Sequence, residues 1–142
     1  MSPLERLDSG QPPDGGGGLD GGSTGGCDAG PALGACAAAY AGCSSYVDLT
    51  AAGANVVFGG TQGDTYSPAC ILIRSGQTVT FSGDFTAHPL NESCGPSSVF
   101  QEVSQGSTAS FTFCATGTYG YYCRNHGTVS GNGMAGAIQV VP

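Results

Sequence analysis

The hydrophobic and polar positions of this chain change rhythm twice. From Asp8 to Gly30 the sequence reads DSGQPPDGGGGLDGGSTGGCDAG and is almost free of apolar side chains. Such a stretch buries too little surface to offset its ordering entropy, so residues 1–34 are expected to form a flexible, disordered Gly/Asp-rich linker. The segment 35–45 (ACAAAYAGCSS) is Ala-rich, with Cys36 and Cys43 seven apart, and reads as a short helix or a stapled loop. Beyond it the period becomes two. Tyr46–Leu49, Asn55–Phe58, Cys70–Arg74, Thr78–Phe81, Ser110–Cys114, Thr118–Cys123 and Ala137–Val141 are short runs rich in β-branched and aromatic residues. Each is bounded by Gly, Pro, Ser, Asp or Asn. Val79 and Phe81 alternate with Thr, as do Phe111 and Phe113, which marks one buried face. The expectation is an all-β domain over 35–142. It is a two-sheet antiparallel sandwich of seven to eight strands with Greek-key connections.

Charge narrows the partners. Three Arg and no Lys oppose ten acidic side chains, for a net charge of −7 in 142 residues. A basic surface for a phosphate backbone cannot be built from these residues, so nucleic acid is excluded as a partner. No apolar stretch approaches the roughly 18 residues of a membrane span. Cysteine usage points the other way, toward export: seven Cys in a short chain suit an oxidising compartment in which disulfides persist. The expected home is extracytoplasmic, a bacterial periplasm or cell surface, with residues 1–34 as a tether. Seven is odd, so one cysteine is left unpaired.

The unpaired one is expected to be Cys123. It belongs to Cys123-Arg-Asn-His126, with Met134 further along the same strand-end loop. The other histidine, His88, follows the strand Thr78–Phe81, and a sandwich brings such strand ends together at one pole. Taken singly these residues have plain readings: His88 as an ordinary loop residue, Cys123 as half of a disulfide. Taken together they make a soft donor set of two imidazoles, a thiolate and a thioether. That set suits copper, because thiolate and thioether stabilise Cu(I) while imidazole binds both oxidation states. Zinc sites do not use Met. A Cys–His nucleophile would need an orienting group and an oxyanion pocket, and neither is adjacent, so an enzyme is not expected. Tyr119, Tyr121 and Tyr122 read as strand aromatics before electron relays, and Arg124 as a solvated charge.

The chain resembles a cupredoxin, the small blue-copper family of plastocyanin and azurin, over roughly Ala54 to Val141. The resemblance runs through Tyr66-Ser-Pro, Ser75-Gly-Gln-Thr-Val-Thr-Phe and His88. It ends in Gly117-Thr-Tyr-Gly-Tyr-Tyr-Cys-Arg-Asn-His and Gly133-Met-Ala-Gly-Ala-Ile-Gln-Val. It implies one copper ion per chain, with His88, Cys123 and His126 as equatorial ligands and Met134 as the weak axial one. It also implies outer-sphere electron transfer by a monomer to a redox partner such as a cytochrome or a copper oxidase, docking through apolar residues near His126 such as Val129 and Met134. Copper storage, sensing or delivery is the alternative. The sequence departs from the family pattern twice. Seven residues separate His126 from Met134, and the upstream His is followed by Pro89 where many members carry Asn. Proline has no N–H to give the cysteine sulfur, so a single donor, from Asn125, is expected. Cys27, Cys36, Cys43, Cys70, Cys94 and Cys114 are the disulfide candidates, which allow fifteen pairings. Cys36 with Cys43 is the expected local pair, with one inter-strand bridge among Cys70, Cys94 and Cys114. Cys27 is the remaining half-cystine, with lipidation as its alternative.

Overall fold

The computed structural model describes residues 30–142, which form a sandwich of two sheets. The strands are β1 (Val47–Asp48), β2 (Ala54–Phe58), β3 (Tyr66–Ser67), β4 (Cys70–Arg74) and β5 (Gln77–Ser82). They continue with β6 (Leu90–Cys94), β7 (Glu102–Val103), β8 (Thr108–Phe113), β9 (Gly117–Gly127) and β10 (Gly133–Val141). One sheet has the order β1-β4-β10-β9-β6-β7, the other β3-β2-β5-β8. All seven expected strands are present. The three additional ones, β3, β6 and β7, are either two residues long or, in the case of Leu-Asn-Glu-Ser-Cys, show no apolar alternation. Both sheets are mixed, since β1 and β10 each run parallel to β4 and β2 runs parallel to β5. The β2–β5 pair is parallel because the intervening chain crosses to the larger sheet to lay down β4 before returning.

The core lies between the sheets, where Val56, Ile71, Ile73, Val79, Phe81, Phe85, Leu90, Phe113 and Ile138 are fully buried. Each such side chain contributes about 2 kcal/mol on removal from water. On the smaller sheet the alternation is plain. Val79 and Phe81 point inward, while Thr78 pairs with Thr112 (2.7 Å) and Thr80 with Ser110 (2.8 Å) on the outer face.

The larger sheet is covered on its outer face as well, by a second apolar cluster of Tyr40, Cys43, Cys94, Ala135 and Ala137. The segment expected as a helix or stapled loop supplies this cover. It makes only a 3₁₀ turn at Tyr40–Gly42, with Ala39 and Ala41 at φ of 55° and 59°. Left-handed backbone costs a non-glycine residue about 1 kcal/mol, and two disulfides hold the turn in place. They join Cys36 to Cys94 and Cys43 to Cys70. The expected Cys36–Cys43 pair is therefore overturned: the two thiols reach strands β6 and β4 on different sides of the β9–β10 pair. No bridge forms among Cys70, Cys94 and Cys114, because the first two are taken by this cap. Cys114 is disulfide-bonded, and Cys27 lies outside the described residues. Residues 30–34, inside the expected linker, run beside 95–98, with Gly30 N–H donating to Ser98 O and Leu33 N–H to Gly95 O. The rest of the linker lies outside the described residues.

Candidate metal centre

Cys123 lies on β9 opposite Leu90 of β6, and His88 stands two residues before Leu90. The β6–β9 pairing thus carries the upstream histidine to the cysteine across 35 residues of sequence. The loop that presents His88 is tightly built. Phe85 is fully buried and anchors it in the core, Asp84 O accepts His88 N–H at 2.9 Å, and Asp84 Oδ1 accepts Thr86 N–H. The His88 ring packs onto the backbone of Gly59, where a Cβ would come within 3.0 Å of the imidazole, and meets the edge of Phe58. Gly59, at φ 71°, is a position that needs glycine both for its backbone and for this approach.

His126 and Met134 are positioned by a wide irregularity in the β9–β10 hairpin. Tyr122 pairs with Ala135 and Gly127 with Gly133, so the segment Cys123–His126 bulges opposite the single residue Met134. The bulge breaks the period of two. Cys123 turns into the core with no exposure, and His126 reaches the surface with its side chain 36% exposed. Met134 is buried in the same apolar cluster as Cys123, which removes it from the expected docking surface, whereas Val129 is exposed at 58%.

Three donor atoms converge. His88 Nδ1 and His126 Nδ1 are 3.2 Å apart, and Cys123 Sγ lies 3.8 Å from the first and 3.6 Å from the second. A circle through points at these separations has a radius of about 2 Å, the range of metal–imidazole and metal–thiolate bonds. Among the described residues this is the one group of three or more His, Cys or acidic side chains spaced to hold a metal ion. Cys123 is also the free cysteine among them. The donor set fits copper on its chemistry, two neutral nitrogens and one soft sulfur in a mostly dry pocket.

The surrounding contacts are partly unforeseen. Asn125 Nδ2 donates to Ala87 O at 3.1 Å and Arg124 N–H to Pro89 O at 2.9 Å, so side chain and backbone both tie the cysteine strand to the His88 loop. Arg124, read as a solvated charge, pairs with Glu102 at 2.5 Å. Asp64, in the loop before β3, places Oδ1 3.7 Å from His126 Nε2. Nothing in the sequence singled it out. Beneath the site, Tyr66 and Tyr121 stack edge-on with ring centroids 4.8 Å apart, and neither buried hydroxyl has a hydrogen-bond partner. Burial pushes both phenols well above the ordinary tyrosine range; for Tyr66 the neighbouring Tyr121 and Cys123 add to it. Tyr119 makes the contact of a tyrosine corner, its hydroxyl donating to Ala115 O at 2.7 Å.

Known proteins resemble this chain in sequence and in structure. Rice plastocyanin (Oryza sativa subsp. indica) is 34% identical over 87 residues, covering 53% of this chain and 54% of its own length. Barley plastocyanin (Hordeum vulgare) is 33% identical over the same span. The chain thus spans about half the length of the curated relatives it matches. Among solved structures, amicyanin from Paracoccus versutus is 20% identical, with a TM-score of 0.42 over 71% of this chain and 88% of its own. Pseudoazurin from Methylobacterium extorquens is 20% identical, with a TM-score of 0.46 over 62% and 74%. The profile of copper-binding proteins of the plastocyanin/azurin family matches residues 41–141, and the chain belongs to that family.

Proposed function

We propose that this protein is a single-copper electron carrier, and that the observation carrying the reading is the convergence of His88 Nδ1, Cys123 Sγ and His126 Nδ1 within 3.8 Å of one another. These three atoms would hold the ion, with Met134 as a weak fourth partner from across the hairpin. Bound there, copper supplies a one-electron couple in which imidazole serves both oxidation states and sulfur favours Cu(I).

The residues do the remaining work. His88 and Cys123 are sealed from water, and the β6–β9 pairing with the Asn125–Ala87 tie holds them at fixed separation. A frame that does not rearrange between oxidation states keeps the cost of each transfer low. Met134 is buried on β10 opposite the bulge, and as the fourth partner it would leave no open position for a substrate. The exposed edge of His126 is the route to a partner, and the exposed Val129, three residues further along the chain, is the apolar candidate for a brief, small docking surface. The partner class is a redox protein, a cytochrome or copper oxidase, met by a monomer. The disulfides Cys36–Cys94 and Cys43–Cys70 support an oxidising, extracytoplasmic setting, periplasm or cell surface.

The test is the visible spectrum of the protein loaded with Cu(II), repeated for Cys123→Ser with far-UV circular dichroism as the fold control. Intense thiolate-to-copper absorption that disappears in the variant is the expected result. A colourless protein that takes only Cu(I) points to storage or delivery. The sulfur is expected to receive one backbone donor, from Asn125, because Pro89 has none. Pro89→Asn is therefore expected to raise the reduction potential, and an unchanged or lower value contradicts this.

A further inference from the structure

The cap over the outer face of the large sheet reaches the metal hairpin. Residues Thr128–Asn132 connect β9 to β10, and on them depends the placement of His126 relative to Met134. This loop closes on itself through Thr128 N–H to Asn132 O and Gly131 N–H to Thr128 O, both 2.9 Å. Its other anchor comes from outside. Tyr40, buried in the cap, donates its hydroxyl to Val129 O at 3.1 Å, and Ser93 of β6 donates to the same carbonyl. The two edges of the Tyr40 ring approach two glycines of the hairpin. A Cβ on Gly120 would fall 2.6 Å from Tyr40 Cε2, and one on Gly131 3.0 Å from Cε1. Gly131 also faces the Ala41 backbone nitrogen, at 2.8 Å from such a Cβ. The turn holding Tyr40 is bonded to β6 and β4 through Cys36–Cys94 and Cys43–Cys70, the strands that flank β9 and β10.

We propose that Tyr40 is a positioning residue of the metal centre: it acts through Val129 O to fix the loop that separates His126 from Met134, and the two disulfides hold it at that post. The arrangement answers the length of the loop. A connection with Gly127, Gly131 and Gly133 is costly to order by itself, and two donors on one carbonyl of the exposed Val129 supply the restraint from outside the hairpin. The metal half of this proposal rests on the copper reading above, whereas the clamp itself does not.

The experiment is amide hydrogen exchange on the full chain, metal-free and copper-loaded, for wild type, Tyr40→Phe and Ser93→Ala. Copper release to a chelator and the visible spectrum are followed in parallel. Tyr40→Phe keeps the ring in its glycine slot and deletes only the donor. In the metal-free protein it is expected to speed exchange at Thr128 and Gly131 about fivefold, the worth of one hydrogen bond. Ile73 and Val79 in the core are expected to stay unchanged, and Ser93→Ala to act in the same direction. Loaded with copper, both variants are expected to release the ion several-fold faster and to shift the absorption bands. Unchanged loop exchange in both variants, or faster exchange spread evenly through the sandwich, overturns the clamp. A loosened loop with unaltered copper release and spectrum overturns the positioning role. Failure of wild type itself to show the copper absorption overturns the copper reading and leaves the clamp standing on the metal-free data.

Discussion

The two sheets of this sandwich live in different surroundings. In the smaller one, β5 alternates strictly, with Val79 and Phe81 inward and paired hydroxyls of Thr78, Thr80, Ser110 and Thr112 facing water. In the larger one, Met134 to Ile138 of β10 are all buried, because the core covers one face and the disulfide-bonded cap the other. The three converging donors lie on β9 of the larger sheet and on the loop that leads from β5 into β6. A hairpin pinned between two layers has fewer ways to move than one open to solvent on one side, and fixed donors require that restraint. The smaller sheet presents a complementary apolar face and, from β2 and the loop that follows it, the Phe58 and Gly59 contacts of His88 and the Asp64 carboxylate beside His126.

This contrast is open to attack at several strengths. Replacing both Cys43 and Cys70 by Ala detaches the cap from β4 and is expected to cost about 3 kcal/mol in urea denaturation; a loss under 1 kcal/mol would mean the cap adheres without its staple. Gly120→Ala forces a methyl against Tyr40 and the Cys94 sulfur at 2.6 and 2.7 Å and is expected to cost about 2 kcal/mol by the same measurement.

Inside the core the sign reverses. Tyr66→Phe removes a buried hydroxyl that has no partner and is expected to raise stability by about 1 kcal/mol. The same variant has a pH signature. Burial holds the Tyr66 phenol above its ordinary value, so its contribution to folding is complete below pH about 10. It is lost at higher pH, as the unfolded chain ionises and the folded one cannot. Unfolding midpoints between pH 8 and 11 should therefore fall less steeply in Tyr66→Phe than in wild type. At the weak end, Thr80→Val on the open face of the smaller sheet is expected to change stability by less than about 0.5 kcal/mol. A larger loss there would erase the distinction between the two sheets.

Much of this was legible beforehand, for reasons that can be stated residue by residue. Strands with one wet face announce themselves by alternation, and β5 and β8 do so. The converging group was legible because the chain has only two His and an odd count of seven Cys, so His88, His126 and the unpaired Cys123 stand out by number as well as by spacing. β6 was not legible, though it delivers His88 to Cys123. Its Asn91, Glu92 and Ser93 are half-buried and serve neighbours, with the Glu92 carboxylate accepting from the Ser98 hydroxyl and the amides of Val99, Phe100 and Gln101. Disulfide pairing was hidden for a related reason. Nearness in sequence favours Cys36 with Cys43 on loop-closure entropy, but the folded sheet presents β6 and β4 to them instead. Tyr40 and Asp64 each act on the site from an element far away in sequence, and no local pattern marks such a contact.

Asp64 has a consequence for traffic to the site. Its carboxylate stands beside the solvent-facing edge of His126, 62% exposed, while nearby Arg124 is already engaged by Glu102. A molecule approaching the imidazole therefore meets a negative charge first, and a partner with a cationic face is drawn in faster than a neutral one. That advantage is a matter of encounter rate and is erased by salt. With such a partner, Asp64→Asn is expected to slow association at low ionic strength and to leave the rate in 0.5 M salt, where screening is within about 5 Å, nearly as it was.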